Sequence, residues 1–111
     1  MTSYKKAFTA AGKTYTFTVF PDYPIKDPID KYSGVYIFAA RKGHKEEIKF
    51  LYIGQTEHFG RRMDEHEFDK MKCVMSKGFN CICIHEEKDE KERIQIETDF
   101  IKQYNPPCNK Q

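Results

Sequence analysis

No stretch of this sequence approaches the roughly 18 to 20 consecutive apolar residues that span a bilayer, so a membrane-embedded protein is not expected. No apolar signal core follows the amino-terminal Met-Thr-Ser-Tyr-Lys-Lys, which leads straight into alternating residues. A cytoplasmic location is expected on that ground. Low-complexity tracts, internal repeats and domain-separating linkers are also missing, which argues against arrays and multi-domain layouts. Charge of one sign is scarce too: 19 Lys and Arg against 17 Asp and Glu give a formal +2. A protein that held a polyanion over its whole surface would show a clear basic excess. Any such grip must be local, or supplied by a partner.

What is present suits one small domain. The 111 residues are 39% hydrophobic and 14% aromatic, enough for one modest core. The four cysteines are Cys73, Cys81, Cys83 and Cys108. With nothing pointing to export, reduced thiols packed as small hydrophobes are expected. Cys81 and Cys83 are two apart in a strand-like segment, face the same way and do not easily bridge each other.

Period-two alternation predicts a hairpin over Ala7 to Phe20, with Ala10-Ala11-Gly12-Lys13 as its turn. Pro21, Pro24 and Pro28 break regular structure before Asp30. Strands are expected at Gly34 to Ala40 and Phe50 to Gly54, joined by a polar loop from Arg41 to Lys49, and at Asn80 to His85. A helix is expected from about Glu57 towards Lys72 with Thr56 as its cap, and a second from the charged run at Glu86 to Tyr104. Pro106 and Pro107 close the second. The fold class is α+β: a small, mainly antiparallel three-stranded core sheet flanked by helices, with an extra N-terminal β-hairpin. Residues 1–30 form the hairpin and Pro-rich connector, an extension of the same domain in which the hairpin extends the sheet or covers one face of the core, and residues 31–111 the main body.

Gly34-Val35-Tyr36 and Tyr52-Ile53-Gly54 resemble the two tripeptides that name the GIY-YIG nuclease family. Downstream, Arg62, His66, Glu97 and Asn109 fill the positions where that family carries an arginine, a His or Tyr one turn later, a glutamate and an asparagine. The resemblance spans Gly34 to Asn109. It departs in having Val35 for isoleucine and a longer loop between the two tyrosine motifs. It implies a divalent-metal-dependent endonuclease that hydrolyses DNA phosphodiester bonds, with Mg²⁺ (or Mn²⁺) at Glu97, DNA as partner and a separate DNA-targeting module as a possible accessory.

The residues also carry chemical sense of their own. Ile94, Phe100, Ile101 and Tyr104 form an apolar stripe on the last helix, with Ile96 at its edge, and Glu97 interrupts it. A carboxylate there needs a partner, either an arginine (Arg62 or Arg93) or a divalent ion. Arg62 and His66 lie one turn apart; a guanidinium suits a phosphate gaining charge, and an imidazole suits proton transfer. Arg61 is the alternative for the arginine. A tyrosine needs help to act as a base near neutral pH, since a pKa of about 10 leaves few phenolates. The resemblance implies one in the water-activating network; Tyr36 with His66 as helper is preferred, and Tyr52 positions phosphate or water. Gly34 and Gly54 are expected to allow close backbone approach, and Asn109 to support the site. Gln55 and Thr56 sit where a helix terminus meets a phosphate. Two competing readings stand beside this one. The first is a zinc-stabilised module built on Cys81, Cys83 and His85 with Cys73 or Cys108. The second is a nucleic-acid-binding domain that does not cut.

Overall fold

A computed structural model describes residues 3–21, 31–42, 47–61 and 68–110. Five strands form one antiparallel sheet: β1 (Tyr4–Ala10), β2 (Lys13–Phe20), β3 (Gly34–Lys42), β4 (Glu47–Thr56) and β5 (Cys81–Glu86). Their order across the sheet is β1-β2-β5-β3-β4. Among the described residues, α1 (Phe68–Ser76) and α2 (Glu90–Tyr104) are helices, residues 59–61 are also helical, and a 3-10 turn over Pro107–Lys110 follows α2.

The expected class, α+β with an antiparallel sheet and packed helices, is the one found, but the three-stranded core is not. The hairpin extends the sheet, one of the two placements expected for it. β2 pairs with β5 through Thr18↔Ile84, Val19↔Cys83 and Phe20↔Ile82, which makes one five-stranded sheet. The reason lies in β2 itself, where Phe17, Val19 and Phe20 are buried and need the sheet and helix to cover them. The turn is the two-residue loop Ala11-Gly12, with positive φ at both positions (52° and 76°). That backbone matches the twist of a tight hairpin, and Gly12 adopts it without strain. Gln103 of α2 holds Ala11 in place by accepting from its N–H at 3.1 Å.

Each face of the sheet has its own core. One face carries Phe20, Tyr36, Phe38, Tyr52, Ile82 and Ile84 under Phe59 and the α1 residues Cys73 and Val74. The other carries Phe17, Val19, Val35, Ile37, Ile53, Cys81 and Cys83 under Ile96 and Phe100 of α2. Phe8 of β1 meets Phe50 of β4 edge-on at 4.9 Å, so the sheet curls towards α2 until its two edge strands touch. A register shift opposite Phe38/Ala39 leaves Leu51 without a cross-strand partner in the β3–β4 ladder. This bulge explains why Leu51 and Tyr52, neighbours in sequence, enter the same core.

The helix ends differ in detail from expectation. The residues after β4 become helical at Phe59, and the cap is His58, whose Nδ1 accepts from Arg61 N at 3.1 Å. Thr56 instead accepts from His58 N, which closes a small turn before the cap. α2 begins later than the charged run suggested, because β5 continues to Glu86 and Asp89 is the N-cap. It ends on Asn105 in the left-handed conformation, with Pro106 beyond it.

Candidate functional site

Tyr36 and Tyr52 stand on neighbouring strands with ring centroids 6.2 Å apart. Tyr36 is buried against Phe59, edge-on at 5.2 Å, and Tyr52 lies beneath the Lys70 ammonium at 5.5 Å. Both glycines of the motifs are steric requirements. A Cβ on Gly54 would lie 2.4 Å from the Tyr36 Cζ and Oη, so the missing side chain is the seat of the Tyr36 ring. A Cβ on Gly34 would lie 1.9 Å from the His85 carbonyl oxygen, which belongs to the backbone of the adjacent strand.

Asn109 reads the same stretch of β4 from outside the sheet. Its Oδ1 accepts from Ile53 N, and its Nδ2 donates to Ile53 O, both at 2.8 Å. A single side chain thus imitates a sixth strand along the β4 edge and satisfies both backbone groups of the residue between Tyr52 and Gly54. The turn that carries it is fixed by a disulfide between Cys73 of α1 and Cys108, with Cα atoms 5.9 Å apart. Lys70 also donates to Cys108 O at 3.0 Å. The expectation of four reduced thiols is therefore corrected for this pair, because the chain end folds back onto α1 and brings two sequence-distant sulfurs together.

Glu97 lies on α2, half-buried. The helix buries Arg93, Ile96 and Phe100, while Ile94 is 44% exposed and Tyr104 38%. The apolar stripe is therefore rotated from the one expected, and Glu97 flanks it rather than interrupting it. Arg93 is otherwise committed: its Nε donates to Gln55 Oε1 at 3.0 Å, and its Nη1 to Lys88 O at 2.9 Å and Glu87 O at 3.3 Å. This buried guanidinium ties α2 to the residue that follows Gly54. Sequence periodicity could not reveal it, since Gln55 is 38 residues away. Gln55, Thr56, Glu57, His58, Arg61, Glu90, Arg93 and Ile94 together line an open groove of ≈ 430 Å³. Arg61 lies there on an exposed surface, 3.9 Å from the Glu57 carboxylate. Arg62 and His66 lie outside the described residues.

The zinc reading fails on its ligands. Cys73 and Cys108 are bonded to each other, and Cys81 and Cys83 are buried free thiols. His85 is turned to Thr16 O through Nδ1 at 2.9 Å and packs on Tyr15 and Phe17. A hydrogen bond between the two thiols lowers the pKa of Cys81 and raises that of Cys83, which burial raises further. Among the described residues, no group of three His, Cys, Asp or Glu side chains is placed to hold a metal. No described helix is long and apolar enough to cross a membrane.

Comparison with known proteins gives this geometry a context. Two solved structures of the GIY-YIG N-terminal endonuclease domain of UvrC from Thermotoga maritima, both tyrosine-to-phenylalanine variants bound to the catalytic divalent cation, share the fold. Their TM-scores are 0.55 and 0.53 at 22% and 24% identity, over 74% of this chain and 87% of theirs. No curated protein matches the chain in sequence. Residues 32–111, well over half of the chain, match the GIY-YIG catalytic domain, so the chain belongs to that family of nuclease enzymes.

Proposed function

We propose that the protein is a divalent-metal-dependent endonuclease that hydrolyses phosphodiester bonds in DNA at a single-metal site. The observation that carries this reading is the seating of Tyr36 over Gly54 beside Tyr52, on a strand whose edge Asn109 pins at Ile53. Such a construction restrains a phenol position from two directions. Preorganised groups of this kind stabilise charge without reorganising during reaction.

The donor set fits a hard cation. Glu97 offers one partly solvated carboxylate, and the described residues hold no three-ligand cage. One carboxylate with water completing the shell suits Mg²⁺ or Mn²⁺ far better than zinc. When bound at Glu97, the cation supplies positive charge that offsets the charge of the phosphate.

The chain's own residues then divide the work. The Tyr36 phenol gives its own proton to His66 as its Oη takes one from the attacking water, and Tyr52 positions the phosphate or water. Arg62 neutralises the phosphate oxygens through its planar guanidinium. Gly34, Gly54 and Asn109 support the site. Arg93 and Gln55 fix α2, and Glu97 with it, to the end of β4.

The test is nicking of supercoiled plasmid DNA by the purified protein. Conversion to the open circle is expected with Mg²⁺ or Mn²⁺ and none with excess EDTA. Full activity in EDTA overturns the metal requirement. No nicking with any divalent ion, by a folded protein that still binds DNA, moves the chain to the non-cleaving reading.

A further inference from the structure

β4 ends the row of described strands, so Tyr52 has neighbours of different kinds on its two sides. Towards β3 stand Tyr36 and Phe38, with ring centroids 6.2 and 5.9 Å from that of Tyr52. On the outer side the chain-end turn and Lys70 of α1 take the place of a further strand. The Lys70 ammonium stands over the Tyr52 ring, 5.5 Å from its centroid. A cation so placed is drawn to the ring face, more strongly where water is partly excluded. Tyr52 is buried here and Lys70 half-buried.

The same ammonium donates to Cys108 O at 3.0 Å. That carbonyl belongs to the peptide whose N–H is that of Asn109, and the N–H donates to Pro106 O at 3.3 Å. Both polar groups of the peptide leading into Asn109 are thereby held. The Asn109 side chain in turn clamps both backbone groups of Ile53, the residue after Tyr52. Cys73, whose sulfur bonds that of Cys108, lies on α1 three residues beyond Lys70. One turn of the helix therefore grips Cys108 at two points.

Two routes run from Lys70 to Tyr52. One is direct, from the ammonium to the ring. The other passes through the chain end to the backbone beside the tyrosine. The disulfide serves the second route and leaves the ring untouched. A hydrocarbon side chain in place of Lys70 packs on the ring but leaves the Cys108 carbonyl without this donor. Lys70 falls between His66 and Glu97, at none of the motif positions, so sequence spacing gives it no role.

We propose that Lys70 is a positioning residue for cleavage, holding the Tyr52 phenol in register with Tyr36 by joining its ring to the chain-end peptide. This rests on the reading of the reaction as metal-dependent DNA cleavage with Tyr52 at the phosphate or water.

The experiment measures cleavage of a labelled duplex with Mg²⁺ by the full chain, separating kcat from KM, in Lys70→Met, Tyr52→Phe and the double variant. Lys70→Met keeps an unbranched stem and removes the charge. It is expected to lower kcat on the order of 10- to 100-fold with KM within about twofold of wild type, because a misplaced group costs rate and not binding. In the Tyr52→Phe background no phenol remains to be placed, and the same substitution is expected to cost less than about threefold. Lys70→Arg keeps a cation for the ring and a donor for the carbonyl, and is expected to recover most of the loss. A raised KM with unchanged kcat makes Lys70 a DNA-binding cation and overturns the proposal. So does an equal loss with and without the Tyr52 hydroxyl, or an unchanged rate in a variant with wild-type Tm. A Lys70→Arg protein as slow as Lys70→Met, or a Lys70→Met chain with no cooperative melt, overturns it as well. Each of these leaves the nuclease reading intact, since wild-type cleavage stands apart from them. Wild-type protein that cuts no DNA with any divalent ion overturns both.

Discussion

At the scale of single residues, the motif glycines and Glu97 make opposite demands. Gly34 faces a backbone atom that cannot step aside, whereas Gly54 faces a side chain that can rotate. Gly34→Ala should therefore destabilise by about 3 kcal/mol or more, and Gly54→Ala by about 1 to 3 kcal/mol. Nicking should nevertheless fall sharply in Gly54→Ala, because the Tyr36 ring loses its seat. Thermal melts and nicking rates on both variants check this; a Gly54→Ala protein with wild-type activity would detach the glycine from the tyrosine's role. Glu97→Gln is expected to cost activity while sparing the fold. Arg93 has Gln55, Glu87 and Lys88 as partners, so loss of the Glu97 charge does not leave that guanidinium unsatisfied. The fold should survive, since glutamine keeps the volume and a hydrogen-bonding oxygen, while nicking drops on the order of 10²-fold or more. A folded variant that nicks at the wild-type rate removes Glu97 from the reaction. The motif residues were legible because their spacing is itself the signal. The rotation of α2 was not, since Ile94 and Ile96 are interchangeable to a helical pattern until packing chooses which one faces the sheet.

At the scale of elements, the hairpin shows where local pattern stops being informative. Alternation in Thr14 to Val19 marks a strand, and Gly12 marks its turn. Nothing local says that β2 will pair with β5, more than sixty residues later, instead of standing apart. That choice belongs to the apolar faces of Phe17, Val19 and Phe20, which find cover only in the five-stranded sheet. Burial of each large apolar side chain contributes roughly 1.5 to 3 kcal/mol, and whole domains are stable by about 5 to 15 kcal/mol. Deleting residues 1 to 20 should therefore remove most of the stability and leave a chain without a cooperative melt. A truncated protein that melts at the wild-type temperature would show that β3, β4 and β5 with their helices form the cooperative unit by themselves.

At the scale of the whole molecule, the chain end is what closes the structure. After α2 the chain turns at Asn105, passes Pro106 and lays Asn109 along β4, and the Cys73–Cys108 bond fastens that return to α1. The sequence alone favoured reduced thiols, since disulfides are rare where glutathione keeps cysteines reduced. A nuclease acting inside a cell would meet that environment, so the bond is where fold and setting press against each other. Closing a loop of sequence separation 35 restricts the unfolded chain enough to contribute roughly 3 to 4 kcal/mol in the chain-entropy model. Reduction should also loosen the turn that carries Asn109, and with it the two hydrogen bonds that hold Ile53. Dithiothreitol is therefore expected to lower the Tm and the nicking rate together, and Cys73→Ser with Cys108→Ser should reproduce both changes and be insensitive to further reductant. Cys81 and Cys83, free and buried on the other face of the sheet, should contribute nothing to the redox response. If the reduced protein melts and cuts as the oxidised one does, Asn109 holds the β4 edge without help from the disulfide, and packing of Pro106 and Cys108 alone closes the chain.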